Sequence, residues 1–115
     1  MLTGAHMVIY SSNVEADRAF FSEVLKLPSV DGGGGFLIYA VPPAEIAVHE
    51  SQAGGRHEVY LMCADIERFV AEMKRRGIAC TAASDEGWGI LTEVTLPGGG
   101  KLGVYQPRHA RPAWK

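Results

Sequence analysis

Cysteine is scarce in this chain. Cys63 and Cys80 are the only two in 115 residues, with neither CxxC spacing nor the count of a disulfide framework. Both are expected to be reduced, partly buried thiols. Long apolar runs are missing as well: none approaches the roughly 20 residues that a transmembrane helix needs. The opening MLTGAHMVIYSS carries no basic stretch ahead of an apolar one, as a signal peptide would. A cytoplasmic location is therefore expected. Nor is there an excess of charge. A net charge of −2 exerts no long-range pull on a polyanion, so neither nucleic acid nor a membrane surface is an expected partner. The glycine run Gly32 to Gly35 lacks the Lys and Ser/Thr that follow in a phosphate loop, and reads instead as a flexible crossing or a lid hinge. No serine, threonine or cysteine stands beside a base in a nucleophile motif.

What the chain does have is the composition of a packed domain, 47% hydrophobic and 21% charged, at a length that suits one core. Its pattern is repeated. GAHMVIYS (4–11) is a β-rich segment ending before Asn13, a good helix N-cap, and VEADRAFFSEVLKL then places Ala16, Phe20, Phe21, Val24 and Leu25 on one helical face until Pro28. FLIYAV (36–41), a turn at Pro42 and Pro43, and EIAVHE (45–50) predict a hairpin. The same grammar returns after SQAGGR. HEVYLMCA is a strand, Asp65 a cap, and Ile66, Phe69, Val70 and Met73 mark a helix that ends in Lys74, Arg75, Arg76 and Gly77. Residues 78–83 read as a short edge strand, and WGILTEVTL (88–96), PGGG and KLGVYQ (101–106) as a second hairpin. The expected architecture is thus α+β: two tandem βαβββ modules whose sheets form a concave pocket. One domain covers 1–108, with module one at about 4–50 and module two at about 57–106. The basic stretch PRHARPAWK, holding Arg108, His109, Arg111 and Lys115, supplies a solvated tail at 109–115, with Trp114 a candidate for docking.

A shift of 52 residues carries Asn13 onto Asp65 and His6 onto Glu58, and a shift of 55 carries Pro42 onto Pro97. Because side chains alternate along a strand, His6, Val8 and Tyr10 share one face, as do Glu58, Tyr60 and Met62. His6 and Glu58 are then expected on the inner side of the sheet, where a carboxylate needs a cation, a donor or water. A His6–Glu58 ion pair would satisfy it. So would a divalent Zn, Fe, Mn or Ni ion held by His6, Glu58 and His49, a two-histidine, one-carboxylate set that leaves coordination positions open. Tyr10, Tyr60, Met62, Trp88 and Tyr105 are candidates for pocket walls or, equally, plain core. His57 is expected on the opposite face, and Glu50 at a solvated strand end.

In HMVIYSSNVEADRAFFSEVLKLP, HEVYLMCADIERFVAEMKRRGI and LPGGGKLGVYQPRH, the chain resembles the vicinal oxygen chelate superfamily over residues 4–109. That superfamily includes glyoxalase I, extradiol dioxygenases, and fosfomycin- and bleomycin-resistance proteins. The resemblance implies a small-molecule substrate or ligand, a homodimer, and a metal held by one residue from each of four strands. Those places hold His6, Ala47, Glu58 and Gly103 here, and two of the four have no ligating side chain. Two functions follow from the resemblance. One is a metal-dependent lyase or dioxygenase with Glu58 and Tyr105 as catalytic groups and Tyr10 or Tyr60 as further hydrogen-bond donors. The other is a metal-free protein that binds or sequesters a small molecule.

Overall fold

A computed structural model describes residues 1–24, 26–41, 44–95 and 101–113. Leu25, the Pro42–Pro43 and Pro97 turns, Trp114 and Lys115 lie outside the described residues, as does the side chain of Phe20. The fold is α+β. Its contacts divide the chain into two compact units, one made of residues 6–58 with 109–115 and the other of residues 1–5 with 59–108.

In the first unit, β1 (Leu2–Ser11, of which residues 6–11 belong here) leads into α1 (Val14–Ala19), a π-helical turn (Phe20–Val24), β2 (Ser29–Asp31), β3 (Leu37–Val41) and β4 (Ala44–Glu50). The Asn13 carboxamide accepts the Ala16 N–H at 3.2 Å, so the cap read from the sequence begins the helix. The strands lie in the order β2-β3-β4-β1. β2 pairs antiparallel with β3, β3 antiparallel with β4, and β4 parallel with β1. Val8, Ile38, Tyr39, Ala40, Ala47 and Val48 form its buried apolar interior. The glycine run closes the β2–β3 hairpin. Gly33, Gly34 and Gly35 take φ of 129°, 59° and 83°, a region where side chains strain the backbone, and the Asp31 carboxylate accepts the N–H groups of Gly33 and Gly35. A tight, tethered turn therefore stands where the sequence suggested a loose crossing or a hinge.

The second unit repeats the sequence of elements: β5 (His57–Cys63, with Val59–Cys63 in this unit), α2 (Ile66–Arg75), β6 (Ser84–Asp85), β7 (Gly89–Thr95) and β8 (Lys101–Pro107), in the sheet order β5-β8-β7-β6. Again the first and last strands pair in parallel, and β7 lies antiparallel to β8 and to β6. Asp65 accepts the Arg68 N–H at 3.2 Å, a cap whose removal typically costs about 1 kcal/mol. Ile66 and Phe69 pack with Cys63, Val94 and Val104, and Val70 and Met73 lie against that cluster, as the helical spacing predicts. The expected edge strand at 78–83 is reduced to a single bridge, Cys80 with Val94. Thr81 explains the difference. Its N–H still donates to the Glu93 carbonyl at 3.0 Å, but its hydroxyl oxygen accepts the Glu93 N–H at 2.8 Å and its carbonyl accepts the Thr92 hydroxyl at 2.7 Å, so hydroxyl groups take the place of the return ladder bond. Paired strand resumes at Ser84–Asp85.

Both cysteines are free thiols, Cys63 buried and Cys80 partly so. Burial pushes the Cys63 thiol above its ordinary pKa, and the thiolate is the reactive form. A disulfide reagent is therefore expected to modify Cys80 first in the native protein and Cys63 only as the chain unfolds; equal rates at the two would contradict this packing. No helix among the described residues is long and apolar enough to cross a membrane.

Candidate functional site

The parallel register of β1 and β4 sets His6 beside Glu45. Neighbours at one register position of a sheet project from the same face. The His6 Nδ1 lies 2.5 Å from Glu45 Oε2. Pro107 ends β8 and the chain returns to the first unit, bringing His109 Nε2 to 3.8 Å from the same oxygen and the Arg111 Nε to 3.1 Å from Glu45 Oε1, where it donates a hydrogen bond. The His6 and His109 rings are 5.7 Å apart between centroids, tilted by 52°.

This group is buried. Glu45 is 1% exposed, and the side chains of His6 and His109 are 8% and 3% exposed, while that of Arg111 is 37% exposed. Burial on its own would push the Glu45 carboxyl up. The hydrogen bond and charge of His6, the hydrogen bond of Arg111 and the charge of His109 together outweigh it, and the carboxyl falls below its ordinary range. A buried carboxylate with such partners is a stable anion at neutral pH. Among the described residues, His6, Glu45 and His109 are the one group of three that could hold a metal ion, each offering an atom within 4.8 Å of the others. Two imidazoles and a carboxylate suit Zn, Fe, Mn or Ni. With Oε1 engaged by Arg111, Oε2 is the oxygen that faces both histidines.

The residues singled out in the sequence are distributed differently. His6 is in this group. Glu58 and His49 are outside it, and both stand by Tyr10. The Tyr10 hydroxyl donates to Glu58 Oε1 at 2.7 Å, the Arg56 guanidinium lies 3.5 Å from Glu58 Oε2, and its carbon is 4.0 Å from the centre of the Tyr10 ring. Burial, followed by the Glu58 hydrogen bond and charge, raises the Tyr10 phenol above its ordinary value, so it remains a donor through the neutral range. His49 is exposed, its Nδ1 directed to the Glu50 carbonyl at 2.7 Å and its ring 5.2 Å from Tyr10 and 6.2 Å from Phe36. His57 and Glu50 are exposed.

Ala47 and Gly103, the two places without a ligating side chain, have packing roles. Ala47 is fully buried opposite Val8 and Ile38. A Cβ on Gly103 would run into the Tyr60 ring, so glycine there is what lets the ring lie against β8. Tyr60, Trp88 and Tyr105 meet edge to face in the second unit, with centroids 5.0 to 6.1 Å apart; Tyr105 and Met62 are buried, and Trp88 is 40% exposed.

Sequence reasoning passed over Glu45 and His109. Glu45, Ala47 and His49 share one face by alternation, so the carboxylate was on the correct face, but its pairing with His6 depends on a register that the alternation does not specify. His109 belonged to a stretch read as solvated, whereas its ring is buried against Glu45.

No family profile matches the sequence, and no curated protein does either. Solved structures do match. Methylmalonyl-CoA epimerase from Mycobacterium tuberculosis is 16% identical, with a TM-score of 0.66 over 92% of this chain and 89% of that one. A glyoxalase/bleomycin resistance/dioxygenase superfamily member from Vibrio splendidus 12B01 is 18% identical, with a TM-score of 0.54 over 92% of this chain and 99% of that one. A catechol 2,3-dioxygenase is also 18% identical, with a TM-score of 0.59, matching 93% of this chain and 43% of its own length. At such identities the likeness is one of fold: this chain has the vicinal oxygen chelate fold.

Proposed function

On this fold, we propose that His6, Glu45 and His109 hold a divalent transition-metal ion and that the protein is a metal-dependent lyase or dioxygenase acting on a small molecule with two neighbouring oxygens. The observation that carries this reading is the burial of two imidazoles around one carboxylate oxygen. An ion bound there supplies Lewis-acid stabilisation of charge that develops on substrate oxygens. The rest falls to the chain. Arg111 fixes the Glu45 carboxylate through Oε1 and so keeps Oε2 turned toward the histidines. Glu58, held by Tyr10 and Arg56, is the proton acceptor in this reading, with Tyr10 as the donor that orients it.

Metal analysis of protein prepared without chelator or affinity-tag nickel tests the proposal. One ion per chain is expected, and His6→Ala or His109→Ala should each weaken binding by at least about 100-fold, the upper end of what loss of an outer partner costs. Glu58→Ala should leave metal content unchanged. Metal-free wild type, or retention of metal in both histidine variants, would sink the reading.

A specific contact favours a second reading. Arg111 and His6 already satisfy Glu45, so the same group is stable as an ion-paired cluster in a metal-free protein that binds or sequesters a small molecule. A wild type without metal that still binds small molecules would establish that alternative.

A further inference from the structure

Arg111 differs from the other three members of the buried group in facing outward, with 37% of its side chain exposed against 1% for Glu45. A guanidinium carries five N–H donors in one plane. The Nε donor is committed to Glu45 Oε1, and the terminal nitrogens have no other partner among the described residues. The planar fork is thus anchored from below by a buried carboxylate and presented toward solvent at the rim of the metal-binding group. Such a fork matches a carboxylate bidentately, which a lysine ammonium does not.

Charge points the same way. Glu45 and Arg111 cancel, and metal-binding imidazoles are neutral, so a divalent ion would bring two uncompensated positive charges into a buried place. An anionic ligand removes that imbalance; a neutral one leaves it. We propose, resting on the metal reading above, that the ligand of this site is a small acid, whose vicinal oxygens chelate the ion while a separate carboxylate is taken by the terminal nitrogens of Arg111. Arg111 is in this account a specificity-determining residue that selects acids over neutral compounds of the same chelating shape.

A matched pair of compounds isolates this claim: catechol and 3,4-dihydroxybenzoate share the two vicinal hydroxyls and differ in the carboxylate. Isothermal titration of each into the manganese- or zinc-loaded full-length protein should show the acid binding at least about tenfold more tightly, the worth of one charge-assisted pair. Arg111→Gln should bring the ratio of acid to catechol affinity, measured on the same metal-loaded variant, down to about one, whatever the variant costs in metal affinity. Because Arg111→Gln leaves Glu45 short of a partner, Arg111→Lys is the companion variant. It keeps a cation near Glu45, and should retain the native circular dichroism spectrum and the metal but lose most of the preference. Metal present with no preference for the acid in wild type, or a preference that survives in both variants, overturns the proposal. Absence of stoichiometric metal in the wild type, measured before any ligand is added, marks instead the failure of the parent reading, and this inference falls with it.

Discussion

Replacing Glu45 with alanine is expected to destabilise the protein by about 3 kcal/mol, the lower end of what breaking a buried ion pair costs, and, on the metal-binding proposal, to eliminate binding of the ion. The loss is larger than the removed contacts suggest. Without the carboxylate, His6 keeps a buried ring nitrogen that has lost its 2.5 Å partner, and Arg111 loses the anion that holds its Nε. The arginine is partly exposed and can recover water, which keeps the figure at the lower end. Glu45→Gln offers a control: the carboxamide has nearly the same shape and can accept from Arg111, so its stability loss should be smaller while metal affinity still collapses. Urea unfolding of the three proteins measures the first effect and metal analysis the second. A Glu45→Ala midpoint equal to wild type would show that the cluster contributes nothing to the fold.

The second large effect is expected at Gly103. The resemblance read from the sequence implies a ligand at this place, yet glutamate here should fail to create a metal ligand and should destabilise the fold. Even alanine places a Cβ against the Tyr60 ring, and overpacking of this kind costs about 2 kcal/mol. A double-mutant cycle identifies the cause. In a Tyr60→Ala background the Gly103→Ala penalty should fall to a fraction of its value, because the ring that blocks the Cβ is gone. A penalty that is unchanged in that background would place the strain elsewhere.

These two residues also show how far the sequence could be read. Asp65, Ile66, Phe69 and the basic last turn specify α2 within a dozen residues, and the structure follows them, because caps and helical periodicity are local. The succession of strand, helix and hairpin along each half was legible for the same reason, from turns and caps. The site was half legible. His6 stood out as an imidazole on the inner face of a strand, but its carboxylate partner is set by the alignment of two strands 39 positions apart, which no local signal encodes. The repeat suggested Glu58 because it compares equivalent places in the two halves. The structure instead pairs His6 with Glu45 of its own half, two positions before Ala47, the place that the resemblance implies. His109 was hidden by its neighbourhood: prolines and basic residues signal an irregular segment, and an irregular segment can be buried when one of its rings has a carboxylate to meet.

The separation of these partners along the chain has a kinetic consequence. His6 and Glu45 are 39 positions apart, and Glu45 and Arg111 are 66 apart. Contacts that close such long loops form late, after loop-closure entropy has been overcome. Unstructured chain therefore offers little to a metal ion, and an ion that binds the native group adds its free energy chiefly to the folded state. Bound metal should consequently act on the exit from the native state, lengthening the lifetime of the folded protein many-fold while leaving its rate of refolding nearly unaltered.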